Sequence, residues 1–314
     1  MKTLERFLSY LRDELRYSPH TVDAYRRDIS AWLAHYGESR PVEAATQADI
    51  RRFIAHEARK GQSIATLRRR TVSLRSLFRF LMRSDGLTVN PVSGLNPGRL
   101  PKRLPVNVRK EETEDMLDEL TESDESFGAF RDRLILEMLY QTGMRCSELT
   151  GLRDDRVDSA SGLIRVLGKR DKERIIPFGN SLRELIDEYR ELRSGPDGPG
   201  AAAPGDPFFV RSDGRPLYRK LVYNVVHKAM ADAGVHAQRM SPHVMRHSFA
   251  TDMLSGGASL TSVQQLLGHA SLATTQIYTH ISLSELQKNY AAAHPRAKYH
   301  NHNIQTYKSE DHGN

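Results

Sequence analysis

The sequence holds one cysteine, Cys146, and one cysteine permits neither an intramolecular disulfide nor a multi-cysteine zinc site. That usage fits a reducing compartment, and the expected location is cytoplasmic. Long apolar runs are missing too: no stretch approaches the roughly eighteen residues that a membrane span requires, so no membrane association is expected. The opening Met1-Lys2-Thr3-Leu4-Glu5-Arg6 brings an acidic residue at once and leads into an amphipathic pattern, not into the apolar core of an export signal. Also lacking are a phosphate-cradling G-x-x-x-x-G-K-[ST] loop and the dense carboxylate cluster that two-metal nucleases need. Neither ATP nor a metal ion is therefore expected to take part, and the expected cofactor complement is none.

What is present is a chain of 314 residues, 27% of them charged and 39% apolar, long enough for two domains. The formal charge of +7 is unevenly spread: residues 1–104 hold twenty Lys and Arg against ten Asp and Glu, the remainder twenty-six against twenty-nine. A strongly basic third beside a near-neutral remainder points to a polyanion bound chiefly by the first segment; a solvated arginine-rich surface is the bland alternative.

Helical spacing opens the chain, with Leu4, Phe7, Leu8, Leu11 and Leu15 on one stripe over residues 4–15. Ser18-Pro19 caps a second helix that ends at Gly37, and Thr46 with Asp49 caps a third, stopped at Gly61. The fourth helix runs from Ser63 to about Ser84. Leu67, Leu74, Phe78 and Leu81 form its core stripe, and Arg68, Arg75, Arg79 and Arg83 form another about a quarter-turn away, suited to a phosphate backbone or to solvent. Residues 1–89 therefore read as a helical domain and the proline-spaced stretch 90–105 as a linker.

In residues 106–297 helical patterns recur near 110–121, 127–141, 145–152, 181–193, 217–233, 241–254, 259–268 and 282–292. Between them, residues 163–167 and 174–177 flank a basic tip, Gly168-Lys169-Arg170-Asp171-Lys172, which reads as a β-hairpin. The Gly- and Pro-rich insert 194–207 reads as a flexible surface loop and the polar tail 298–314 as disordered, its His300, His302 and His312 solvated.

Three segments concentrate residues suited to a phosphodiester: Thr142-Gly143-Met144-Arg145-Cys146-Ser147-Glu148-Leu149, His243-Val244-Met245-Arg246-His247, and Leu266-Leu267-Gly268-His269 leading to Tyr278-Thr279-His280. Each alone is weak, since a His and an Arg three apart on a helix face arise in many proteins. Together they resemble the tyrosine recombinase family, and its Xer-type members most closely, over nearly the whole chain. That family's signature is an arginine in T-G-x-R-x-S-E-L, a lysine on a β-hairpin, an H-x-x-R pair, a histidine in L-G-H and a tyrosine nine residues beyond it. Here these fall on Arg145, Lys169, His243, Arg246, His269 and Tyr278. One departure is Arg170, where Xer-type proteins commonly have glycine after the lysine, which makes Lys172 a rival to Lys169.

These residue types suit the chemistry. Phosphoryl transfer spreads negative charge over the nonbridging oxygens, which two arginine forks match while staying charged. A phenol, with an ordinary pKa near 10, attacks only with a proton acceptor close by, for which His243 is the candidate. Lys169 would protonate the leaving 5′ oxygen, and His269 would hydrogen-bond the phosphate in the transition state.

The resemblance implies a mainly α, two-domain DNA clamp: a helical N-terminal core-binding domain and a mostly helical catalytic domain with a small antiparallel sheet. It implies double-stranded DNA as partner, a 3′-phosphotyrosyl intermediate at Tyr278, and a homo- or hetero-tetramer on two sites. Residues 284–293 would dock on a neighbouring subunit, and the arginine stripe of the fourth helix would contact DNA. Xer-like resolution of chromosome dimers, activated by a septal DNA translocase, is the implied task. Integration of a mobile element, a type IB topoisomerase and a non-catalytic DNA-binding protein are the alternatives.

Overall fold

Four amphipathic segments, three of them capped by side chains, build the first of two compact units, residues 1–104 and 105–314. The computed structural model describes residues 2–37, 39–96, 98, 110–119, 126–168, 173–235, 240–268 and 283–297. Lys169, Lys172, His269, Tyr278, His300, His302, His312 and half of the expected linker lie outside the described residues. Among those described, no helix is long and apolar enough to cross a membrane.

In the first unit, α1 (Lys2–Ser9) passes into a π-helical turn, Tyr10–Glu14, where one unbroken helix was expected. The wider turn, closed by Leu15 N–H donating to Tyr10 O at 3.0 Å, rotates Leu15 off the apolar stripe and leaves it 40% exposed, while Leu11 stays buried. Helix α2 (Pro19–Tyr36) starts where Ser18 Oγ accepts from Thr21 N–H and ends at Gly37, whose φ of +105° suits a residue without Cβ. Helix α3 (Gln47–Arg59) carries the full reciprocal cap between Thr46 and Asp49, and α4 (Ile64–Ser84) is capped by Ser63. Phe7, Ile29, Trp32, Ile50, Phe53, Leu74 and Phe78 are fully buried between these helices. Two buried carboxylates lie there as well: Asp28 accepts from Arg69 and Ser73, and Glu57 pairs with Arg70. Residues 90–95, expected to start the linker, instead fold onto this unit, with Val92 fully buried and Asn90 Nδ2 donating to Arg75 O at 3.1 Å.

The second unit is built on α6 (Phe127–Thr142), buried on every side from Leu134 to Thr142. Helices α5 (Lys110–Glu119), α8 (Asn180–Ser194), α9 (Arg219–Asp232) and α10 (Pro242–Ser255) pack round it, with the short α7 (Cys146–Thr150) following it in the chain. The expected hairpin is present as β2 (Leu163–Leu167) and β3 (Glu173–Pro177), with Ile164 opposite Ile176 and Val166 opposite Arg174. A two-residue strand, β1 (Val157–Asp158), joins β2 to complete an antiparallel sheet; it is too short to leave an alternating pattern in the sequence. Helices α11 (Leu260–Leu267) and α12 (Leu283–Ala293) finish the unit.

One expectation is corrected here, and a second element is found packed within its own chain. Residues 194–207 are not a free loop: Arg193, almost buried at the end of α8, donates to the carbonyls of Gly200, Pro207 and Phe208 at 3.1, 2.8 and 2.8 Å. The segment is thus folded back as a strap, because the arginine supplies donors that Gly- and Pro-rich backbone cannot find within itself. Helix α12, expected to dock on a neighbour, lies against its own unit. Leu286, Tyr290 and Ala293 are buried, Tyr290 Oη donates to Gln141 O at 3.1 Å, and Asn289 donates to Ser262 Oγ. Just beyond it, Arg296 pairs with Glu137 and Asp118, while Leu283 at the start of α12 stays exposed.

Replacing Arg193 by Ala removes charge-assisted donors from three carbonyls, a local cost of about 2 kcal/mol or more. Limited proteolysis within 194–207 should then speed up about tenfold or more with the rest of the chain intact. Unchanged cleavage of the strap would show that the arginine does not hold it.

Candidate active site

The end of α6 sets the first element. Gly143 closes that helix in the left-handed region, φ +58°, and a Cβ there would stand 2.4 Å from the Phe249 ring. Glycine is therefore required twice over, by conformation and by space. The turn brings Arg145 to the N-terminus of α7, where its N–H donates to Glu148 Oε2 at 2.7 Å and its Nη1 donates to Oε1 at 2.8 Å.

Arg246 comes from α10 and is buried. Its Nη1 donates to Gly143 O at 2.5 Å and its Nη2 to Leu267 O at 2.6 Å. Arg145 Nη2 reaches the next carbonyl, Gly268 O, at 3.5 Å. A third arginine, Arg174 on β3, donates from Nε to Leu266 O at 2.7 Å and from both Nη atoms to Glu148, each at 2.8 Å. Three guanidiniums thus meet the last three carbonyls at the C-terminal end of α11, where the helix dipole favours cations. Gly268 ends that helix at φ +63°, pressed against Arg174, and His269 is the next residue.

The electrostatics are lopsided. Burial, then the neighbouring Arg145 charge, pull Arg246 down to about 10, against the pull of Glu148. Burial alone would raise Glu148, but hydrogen bonds from Arg174 and from the Arg145 backbone, with the arginine charges, hold it at about 2. Beside Glu148 a cleft of about 260 Å³ is lined by Arg153, Arg156 and Arg165 as well. Cys146, next to Arg145, is buried, and burial pushes its thiol up, so it serves as a neutral packing group.

Of the six expected catalytic residues, the structure brings Arg145 and Arg246 to one point. His243 lies exposed in the first turn of α10, one turn before Arg246. Lys169, His269 and Tyr278 lie outside the described residues. Sequence reasoning missed Arg174 and gave no role to Glu148, although Glu148 stands three residues after Arg145, the spacing of a reciprocal cap. The stripe on α4 divides. Arg68, Arg79 and Arg83 are exposed and Arg75 is half-buried; Arg75 donates to Leu95 O and Arg83 to Tyr10 Oη, each at 3.0 Å.

Comparison with known proteins agrees over both units. Residues 107–285 match the phage integrase family and residues 4–85 its N-terminal SAM-like domain. A tyrosine recombinase XerC of Azotobacter vinelandii is 40% identical over 301 residues, covering 94% of this chain and 96% of its own. One from Pelobacter propionicus is 38% identical over 309 residues, covering 95% and 97%. The fold is also that of XerH bound to its difH substrate, with TM-score 0.65 and 24% identity over 89% of this chain and 82% of that one. A lambda integrase dimer on a core site gives TM-score 0.66 and 19% identity over 90% and 98%. The chain belongs to the phage integrase family, and it is a tyrosine recombinase, an enzyme that cleaves and rejoins DNA. Within that family its similarity is to the Xer recombinases.

A carboxylate held below its ordinary value of 4.5 contributes stability that is fully present above that pH and lost as pH falls toward about 2. For Glu148 the contribution is on the order of 3 kcal/mol. Glu148→Gln should therefore melt well below the wild type at pH 7, and the gap should close between pH 4.5 and 2. A gap that stays constant through that window would show that the ionised carboxylate is not what holds the arginines.

Proposed function

We propose that the enzyme cuts one strand of a double-stranded DNA site by forming a phosphodiester from Tyr278 to the 3′ side of the break, with Xer-like resolution of chromosome dimers as its task. The observation that carries this reading is the surplus of positive charge at the end of α11, three guanidiniums to one carboxylate, a single residue before His269. Such a cluster matches the charge that phosphoryl transfer spreads over the nonbridging oxygens.

In this mechanism Arg145 and Arg246 hold the scissile phosphate and His243 accepts the phenol proton. The Tyr278 oxygen bonds to phosphorus as the bond from phosphorus to the 5′ oxygen breaks, and Lys169 protonates that oxygen. His269 donates a hydrogen bond to the phosphate. The products are a 3′-phosphotyrosyl ester and a free 5′-hydroxyl; attack by a 5′-hydroxyl of the partner strand reverses the steps. The ester conserves the bond energy, so rejoining draws on no nucleotide. Exchange between two sites needs four protomers, a homo- or hetero-tetramer, and a septal DNA translocase fits the role of activator. Similarity to XerC proteins over almost their whole length supports this task over integration of a mobile element. The first unit contributes phosphate contacts from Arg68 and Arg79, exposed arginines of the stripe that make neither the Leu95 contact of Arg75 nor the Tyr10 contact of Arg83.

Tyr278→Phe should bind a recombination-site duplex normally and give no covalent complex on a nicked suicide substrate; capture by that variant would remove Tyr278 from the role. Arg145→Ala and Arg246→Ala should each slow capture by a hundredfold to a thousandfold or more. With two sites on one plasmid, exchange products are expected, and relaxation without exchange would assign the chain to topoisomerase chemistry instead.

In salt titrations of DNA binding, Arg68→Ala and Arg79→Ala should each reduce the slope of log K against log salt by about 1. Arg75→Ala and Arg83→Ala should change it less, since their heads are engaged within the unit. Equal effects at all four positions would return the whole stripe to the DNA surface.

A further inference from the structure

We propose that Arg174 is a positioning residue for cleavage, one that sets Arg145 against the end of α11 so that both address the same phosphate. The inference rests on the reading of Arg145 as a phosphate ligand, and it concerns a residue that does not itself touch the reacting atoms.

The register of the hairpin makes Arg174 unusual. It stands opposite Val166 and on the same side of β3 as the buried Ile176, so it points inward, where an apolar residue would ordinarily sit. Its side chain is 10% exposed, and its fork is used in full: one edge grips both oxygens of Glu148, while Nε holds Leu266 O. Its stem also fills the space at Gly268 that a Cβ would occupy, with Cδ 3.0 Å from that position. One side chain therefore ties together the strand that leads from the hairpin tip, the carboxylate that orients Arg145, and the turn before His269.

The sharing of Glu148 gives this arrangement its consequence. Oε1 accepts from both Arg145 Nη1 and Arg174 Nη1, and Oε2 from Arg174 Nη2 and the Arg145 N–H. With both oxygens doubly engaged, Glu148 orients the Arg145 guanidinium through Nη1, and Nη2, held only by a 3.5 Å contact to Gly268 O, can turn with Nε to a phosphate. Without Arg174 the carboxylate has one guanidinium to itself, and Arg145 is drawn into a closed ion pair that competes with the DNA. Lysine supplies the charge and not the fork, so it replaces arginine only in part.

The test is single-turnover covalent capture on a nicked recombination-site duplex. Arg174→Ala should capture about thirtyfold to a hundredfold more slowly than wild type, with DNA affinity within about threefold, and Arg174→Lys should fall between the two. The decisive arm replaces the scissile phosphate by a methylphosphonate, which lacks the charge that Arg145 neutralises. If Arg174 acts through Arg145, the defects of Arg174→Ala and Arg145→Ala both shrink on that substrate, and the double variant is no slower than Arg145→Ala on ordinary DNA. A defect of equal size on both substrates, or rates that multiply in the double variant, would overturn the proposal. Should Arg174→Ala not fold, the same two comparisons with Arg174→Lys decide it. Capture by Tyr278→Phe would sink the underlying assignment of the site, whereas Tyr278-dependent capture at the normal rate in both Arg174 variants would sink this inference alone.

Discussion

Three guanidiniums drawn to the carbonyl end of one short helix, with Glu148 as their shared counter-charge, form the interaction on which the rest of the second unit depends. Like charges this close repel strongly in a half-buried setting. They stay together because each has a fixed acceptor: Gly143 O and Leu267 O for Arg246, Leu266 O and Glu148 for Arg174, Glu148 for Arg145. The arrangement is satisfied in hydrogen bonds but not in charge. That residue of positive potential is what a phosphate backbone would neutralise, and it is prepared in advance, so little reorganisation is needed when the anion arrives.

The surrounding fold keeps these acceptors in place. The arginines come from a loop, a strand and a helix far apart in the chain, and each is anchored by a rigid neighbour: the buried α6, the paired hairpin, and α10 packed on both α6 and α11. Ion pairs under the surface recur in both units, as Asp28 and Glu57 with α4, and Glu137 with Arg296. Pairs of this kind add little net stability over an apolar packing, since desolvation offsets their attraction. Their effect is to fix which helix faces which.

Helix starts were legible because capping is local: Ser18, Thr46 and Ser63 each bind a backbone N–H three residues on. The mainly helical class with one antiparallel hairpin was legible for the same reason, since apolar periodicity and turn residues act over short distances. Elements resting on distant partners were not. Leu15 leaves its stripe because of a π turn, and Arg193 closes a strap whose composition suggests freedom. Helix α12 is covered by Gln141, Ser262 and the core of its own unit. At the site, the arginines of the motifs could be named from sequence. Arg174 could not, because its partners lie 26 residues before it and 92 residues after it.

The strap at 194–207 leaves the end of α8 and returns to it, its two limbs joined through a single guanidinium to Gly200 on one side and Pro207 and Phe208 on the other. Beyond that closure, Phe208 packs tilted against Tyr189 at 5.4 Å between ring centres and edge-on to Phe209 at 4.8 Å, and the three rings carry the chain into the core. Between the limbs Gly205 O accepts from Arg153 and Asp206 O from the Asp154 N–H, so the appendage is the turn at 201–204. A reporter peptide or dye-binding tag grafted there would lengthen the appendage without shifting the helix or the aromatic cluster, which gives the enzyme a natural handle for surface attachment in single-molecule work.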